Sequence, residues 1–280
     1  MSSKSETPPE PEIRIRSRWP ECFIDLGWQE EARVRGQFVD VMGLRLHYRS
    51  GPKSEGIPFV LIPGLVISSL YWIPLAECLS QYAPVLALDL PGFGRSAGPR
   101  RSLSMAQHAG IILQWLEVLG VESCHLVGNS MGCQIAARLA ARQPRRVETL
   151  TLIGPTIDPR YRWLPVQVVK LISDAFQEPP RLWLNWMFDF LRAGPMRPFG
   201  TTRRMFRDRI EKQLPWIMTP TLVIRGEHDT TVPDRWARAV VSSLALGEYM
   251  VVPRVAHCAH YTRPEWVATR MLSWTSQAMR

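Results

Sequence analysis

The chain reads as an α/β protein built on a mostly parallel sheet flanked by helices, and three observations predict it. Short apolar runs rich in β-branched residues alternate with amphipathic segments of helix length. From Phe59 onward each gap between runs is long enough for the helical crossover that parallel strands require. One run, His125 to Val127, passes straight into Gly128-Asn129-Ser130-Met131-Gly132 and a helix-patterned stretch, a sharp strand–turn–helix joint.

In chain order the candidate strands are Gln37 to Val41, Leu44 to Tyr48, Phe59 to Ile62, Val85 to Leu88, His125 to Val127, Thr149 to Ile153, Thr221 to Ile224 and Tyr249 to Val252. Met42-Gly43 between the first two is a tight-hairpin signal, so the sheet is expected to begin antiparallel. Ser104 followed by Gln107 forms a capping-box pattern that opens a helix to Leu119, closed by Gly120. Met131 to Arg142 reads as a helix with Ile135, Ala136 and Leu139 on one face, and a last helix starts near Pro264. Between Ile153 and Thr221 the rhythm breaks: tryptophans and arginines crowd helical stretches punctuated by Pro179-Pro180 and Gly194-Pro195. The expected organisation is a tail over residues 1–30, a core from 31–156 and 215–280, and a helical cap inserted at 157–214. An excursion there would sit over the C-terminal edge of the sheet, where open α/β folds bind ligands.

With 46% hydrophobic residues the chain can bury enough surface to offset the entropy of ordering, which excludes disorder for its bulk. No apolar run approaches the roughly 18 residues a membrane-spanning helix needs. The Ser-, Glu- and Pro-rich residues 1–12 are followed by no apolar segment of the signal-peptide kind, so a cytoplasmic location is expected. Cys22, Cys78, Cys124, Cys133 and Cys258 are odd in number and lack CxxC spacing, which suits reduced thiols and argues against a zinc site. Only four of the 34 basic residues are lysine, so arginine carries the net charge of +9, a bias that base composition alone can produce. No nucleic-acid-binding module accompanies that charge.

The Gly128–Gly132 pentapeptide has the form G-x-S-x-G, in which a sharp turn lifts the serine oxygen out of the sheet and glycines let neighbouring backbone pass close. Here the chain resembles the α/β-hydrolase superfamily, from about Gln37 to the end. Phe59-Val60-Leu61-Ile62-Pro63-Gly64-Leu65 is similar to the family's oxyanion loop, although Pro63 stands where many members have His. Asp89-Leu90-Pro91-Gly92-Phe93-Gly94-Arg95-Ser96 is similar to its D-x-P-G-x-G-x-S turn. Gly226-Glu227-His228-Asp229 resembles the acid loop, and Val255 to Glu265 the histidine loop, whose base precedes a Pro-Glu pair. The resemblance implies an eight-stranded, mostly parallel sheet with a helical cap, and a catalytic triad of Ser130, Asp229 and His257 in the chain order of this fold.

Each assignment has a rival. Asp158, after the sixth strand, competes for the acid, and His260 competes for the base or lines the pocket. His47, His108 and His125 read as structural. Cys133 and Cys258 read as small hydrophobes before nucleophiles. Thr262 stands where relatives frequently carry an acid; with Pro264 and Glu265 it reads as a helix cap.

The resemblance implies acyl transfer, with His257 taking the Ser130 proton, Asp229 holding the imidazole, and the N–H groups of Leu65 and Met131 binding the oxyanion. A serine at the elbow disfavours the epoxide hydrolase and haloalkane dehalogenase branches, which need Asp. An ester or related carbonyl substrate with an apolar part is the leading expectation. C–C hydrolysis next to a carbonyl and a triad-bearing small-ligand receptor are the alternatives. Trp163, Trp183 and Trp186 are candidates for the substrate pocket, or equally for packing. Arg138, Arg142, Arg145, Arg146, Arg203, Arg204, Arg207 and Arg209 either form a surface for an acidic carrier protein or are solvated helix faces. No motif implies a metal or an organic cofactor.

Overall fold

The computed structural model describes residues 33–52, 55–163, 166, 170, 173 and 177–280, so the expected tail at 1–30 and Cys22 lie outside the described residues. Eight strands form one sheet in the order β1-β2-β4-β3-β5-β6-β7-β8. They are β1 (Arg35–Val41), β2 (Leu44–Ser50), β3 (Phe59–Ile62), β4 (Val85–Leu88), β5 (Cys124–Asn129), β6 (Val147–Ile153), β7 (Thr221–Gly226) and β8 (Gly247–Val252). β1 and β2 pair antiparallel through a two-residue turn in which Met42 and Gly43 take φ of 51° and 75°, the left-handed pair a twisted hairpin favours. β2 also runs antiparallel to β4, and every later pairing is parallel.

The central strands are apolar on both faces because helices cover both. On β3, Val60 and Ile62 enter one core cluster with Leu126 and Trp115, whereas Phe59 and Leu61 enter another with Val127, Trp72 and Leu75. The helices are α1 (Ile73–Leu79), α2 (Met105–Val118), α3 (Met131–Arg142), α4 (Pro180–Ala193), α5 (Met196–Arg207), α6 (Asp234–Ser242), the single turn α7 (Ala259–Thr262) and α8 (Pro264–Ala278). α2 carries the expected capping box: the Gln107 N–H donates to Ser104 Oγ at 3.2 Å and the Ser104 N–H to Gln107 Oε1 at 2.9 Å.

The Thr262 cap needs correction. Arg263 occupies the position before α8, and Thr262 Oγ1 donates back to the Cys258 carbonyl at 3.2 Å and to Glu178 Oε2 at 3.3 Å. Its hydroxyl is held by the preceding turn, so it cannot reach the N–H groups of α8.

The segment between β6 and β7 is fastened to the sheet side by its carboxylates. The Ser68 N–H donates to Asp189 Oδ2 of α4 at 2.7 Å, the Cys258 N–H to Glu178 Oε1 at 2.6 Å, and Arg138 Nε of α3 to Asp208 Oδ2 at 2.6 Å. The first two bonds bring α4 and the residue pair before it to the loops that follow β3 and β8, at the C-terminal end of the parallel strands, and the third ties the end of α5 to α3.

Candidate active site

Ser130 lies between β5 and α3 with φ 55° and ψ −119°, a conformation costly for a residue with a Cβ. Two backbone bonds hold it there: the Ser130 N–H donates to Ile153 O at 3.0 Å, and the Cys133 N–H to Ser130 O at 3.0 Å. The turn also needs Gly132, where a Cβ would stand 2.7 Å from the Pro63 carbonyl oxygen and closer still to that of Ile62. The half-buried serine follows the C-terminal end of β5, with Gly64, just past the end of the neighbouring β3, alongside; a Cβ on Gly64 would be 3.3 Å from Ser130 Cβ.

Asp229 and His257 come from the loops after β7 and β8 and meet as a buried pair, His257 Nδ1 standing 2.8 Å from Asp229 Oδ2. The other carboxylate oxygen accepts the Val232 N–H at 2.8 Å, so both lone-pair faces of Asp229 are directed. The pair fits only because residue 154 is glycine at φ 57°: a Cβ there would lie 2.7 Å from His257 Cε1 and 2.8 Å from Nδ1. Gly154 follows Ile153, the residue that anchors Ser130, so the end of β6 joins serine and histidine to one backbone.

The rival acid is occupied elsewhere. Asp158 is buried against Arg235 and caps a short turn by accepting the Arg160 N–H at 3.0 Å. His260 is fully sealed, its ring 4.1 Å from that of Trp72 and perpendicular to Tyr71 at 4.7 Å. Burial, and then the neighbouring His257, hold its pKa well below the usual imidazole range. With no accessible surface, His260 is not a wall of an open pocket, which corrects that expectation. Cys133 is buried beneath the elbow, its thiol directed at the carbonyls of Gly128 and Ile153, and burial pushes its pKa far up, so it supplies no thiolate. His47 pairs with Asp89 at 2.8 Å, His125 with Thr149 at 3.0 Å, and burial lowers His108 to about 4.

Leu65 is half-buried beside Ser130, and Met131 opens α3, where an N–H has no acceptor within its own helix. Among the tryptophans, Trp163 is largely exposed, whereas Trp186 stacks on Phe190 at 5.2 Å and meets Trp183 edge-on at 6.1 Å. A depression of about 410 Å³ lined by Arg45, Arg95, Arg192 and Arg197 lies at the turn after β4 and contains none of Ser130, Asp229 and His257. Of the arginines after the elbow, Arg138 is tied to Asp208 and Arg146 to the Val121 carbonyl at 3.2 Å. Among the described residues no group of three His, Cys, Asp or Glu is placed to hold a metal, and no helix is long and apolar enough to cross a membrane.

Three residues that sequence reasoning missed act on this site. Tyr71 is buried; its Oη accepts the Gly64 N–H at 2.8 Å and donates to Asn129 Oδ1 at 3.2 Å. Asn129 in turn donates to Ile153 O at 3.0 Å. Glu178 and Asp189 reach the histidine loop and the loop after β3 from the segment between β6 and β7. No motif spacing marks any of them.

Residues 57–193, about half of the chain, match the alpha/beta hydrolase fold family. A dihydrolipoyllysine-residue acetyltransferase component of an acetoin cleaving system from Cupriavidus necator is 36% identical over 136 residues, 48% of this chain; the match spans only 36% of that protein. A 2-hydroxy-6-oxononadienedioate/2-hydroxy-6-oxononatrienedioate hydrolase from Paraburkholderia phymatum is 28% identical over 84% of this chain and 92% of its own. The crystal structure of a membrane phospholipase A superposes with a TM-score of 0.76 at 25% identity, over 89% of this chain and 88% of that one. Matched family, sheet order and elbow agree: the chain belongs to the α/β-hydrolase superfamily and is a hydrolase of that fold.

Proposed function

We propose that the protein is a serine hydrolase that cleaves an ester or related carbonyl substrate through an acyl-enzyme. His257 Nε2 takes the proton of Ser130 Oγ as that oxygen attacks the carbonyl carbon. The Leu65 and Met131 N–H groups receive the developing oxyanion, and His257 returns the proton to the leaving group. Water then repeats the sequence on the acyl-enzyme. Asp229 fixes the imidazole with its proton on Nδ1 and stabilises the imidazolium that forms. The observation that carries the reading is the 2.8 Å bond between His257 Nδ1 and Asp229 Oδ2, on the sheet edge where Ser130 occupies its strained turn. In this reading residues 157–214 are a cap, and Trp183 and Trp186 contact the apolar part of the substrate.

A second reading, hydrolysis of a C–C bond next to a carbonyl, is favoured by the similarity to the 2-hydroxy-6-oxononadienedioate hydrolase along most of both chains. One experiment separates the two. Purified protein and its Ser130→Ala variant are given p-nitrophenyl esters of graded acyl length and, in parallel, a 2-hydroxy-6-oxodienedioate. Ester turnover that falls by about 10⁶-fold in Ser130→Ala supports the esterase. Turnover of the dienedioate alone supports C–C cleavage. A folded protein that turns over neither class refutes both readings.

A further inference from the structure

The outer surface of the segment between β6 and β7 is unusual in two independent ways. First, α4 is apolar on both sides. Leu182, Trp186 and Phe190 face inward, whereas Leu184, Met187, Phe188 and Leu191 are 58%, 45%, 62% and 67% exposed. Their i, i+3, i+4, i+7 spacing makes them one ridge, and Met196 and Phe199, 79% and 64% exposed, extend apolar surface onto the start of α5. Only the Arg181, Asn185, Asp189 and Arg192 side of the helix is polar, and an apolar ridge of this kind is ordinarily covered by a partner surface. Second, the charge on this surface has one sign. Residues 180–209 contain seven arginines, no lysine or glutamate, and only Asp189 and Asp208 as acids. Both acids are buried and turned inward, Asp189 to the Ser68 N–H and Asp208 to Arg138, while Arg192, Arg203, Arg204, Arg207 and Arg209 are exposed.

We infer that the ridge of α4, with the start of α5, docks on the surface of an anionic lipid bilayer. An apolar ridge inserts at the boundary of headgroups and acyl chains, and guanidinium groups beside it pair with lipid phosphates. A second copy of the chain is a poorer occupant, because a two-fold contact through this face sets arginines against arginines. Docking brings α4, which is bonded to the loop after β3 through Asp189, to the interface where apolar esters concentrate. The inference concerns binding and stands apart from the chemistry proposed for Ser130.

The test is co-sedimentation of the full chain with vesicles of phosphatidylcholine alone and of phosphatidylcholine mixed with phosphatidylglycerol, at low and raised salt. The protein pellets with the anionic vesicles, and salt weakens the binding. Leu184→Asp/Phe188→Asp lowers partitioning by at least about tenfold, from the loss of two buried apolar side chains. Arg203→Gln/Arg204→Gln lowers it by roughly tenfold or more, each arginine near a charged surface contributing several-fold. These side chains are exposed, so the variants retain the wild-type circular dichroism spectrum. No pelleting, equal pelleting with both vesicles, or pelleting unchanged in Leu184→Asp/Phe188→Asp overturns the inference. So does a solution dimer that Phe188→Asp dissociates while no vesicle binding is seen; the face then belongs to a second copy.

Discussion

Replacing Tyr71 with Phe removes one oxygen and keeps the ring that packs against Trp72 and His260. That oxygen has two buried partners, the Gly64 N–H at 2.8 Å and Asn129 Oδ1 at 3.2 Å. Loss of the first leaves a buried amide donor unsatisfied, which costs about 1–3 kcal/mol. The second bond is long, and Asn129 keeps its bond to Ile153, so its loss adds little. The sum is about 2 kcal/mol, equivalent to a fall of about 4–8 °C in Tm for a chain of this size. The catalytic consequence follows from position. Gly64 precedes Leu65, so the bond to Tyr71 fixes the peptide plane adjoining the one whose N–H is proposed to meet the oxyanion. Outright loss of such a donor costs ~10²–10³ in rate; a misaligned one is expected to cost about tenfold in kcat with KM changed less than about twofold. The assay is kcat and KM on a p-nitrophenyl ester together with urea unfolding. Inhibition by a trifluoromethyl ketone is measured beside them, and it weakens in proportion to kcat. A stability loss with kcat and ketone affinity unchanged refutes the reasoning and leaves Tyr71 a packing residue.

Two further outcomes follow from the site geometry. Gly154→Ala drives a methyl group against His257, so kcat falls by about 10²-fold, as misplacement of a catalytic group by about 1 Å can produce, while Gly120→Ala, which has open space around it at φ 69°, leaves kcat intact; steady-state kinetics on both variants checks this. Asp189 has its pKa raised by burial from 3.8 to about 6, so its contribution to stability is complete below the lower value and is lost as pH rises through the upper one. Asp189→Asn, which keeps an oxygen for the Ser68 N–H, is therefore more stable than wild type near about pH 8, loses about half of that advantage by about pH 5 and converges on wild type only below about pH 4; a Tm difference independent of pH refutes the assignment.

The parts of this molecule readable from the sequence are those whose cause is local. The β3 run Phe59–Ile62 is apolar throughout because both its faces are covered, and the Ser104 box satisfies its own donors within four residues. The strained turn at Ser130 announces itself because only small residues at 128 and 132 let the turn close. The order Ser130, Asp229, His257 was readable as a pattern of loops, although the meeting of His257 with Asp229 spans 28 residues. Asp189 and Ser68 are 121 residues apart, and Glu178 and Cys258 are 80 apart; neither pair leaves a mark on either local stretch. Tyr71 escaped for a different reason, since a tyrosine just before a helix looks the same whether its hydroxyl meets water or an amide. Thr262 was misread because the residues Thr, Pro and Glu suit a cap, and nothing local reveals that its hydroxyl is already bonded behind it.

Two of the missed residues, Tyr71 and Asp189, share a function that the local motifs cannot perform. Ser130 at φ 55° and Val66 at φ 57° are both costly conformations, Val66 the more so because it is β-branched. Strain of this kind persists only where the surroundings over-determine the backbone. Around Val66 they do: Gly64 is held by Tyr71, Ser68 by Asp189 and Ser69 by Asp89 at 2.6 Å, three side-chain anchors on six residues. Two of those anchors come from the core and the third from α4. The shape of the loop beside Ser130 therefore depends on α4 staying docked, and a change that lifts α4 relaxes the loop as well.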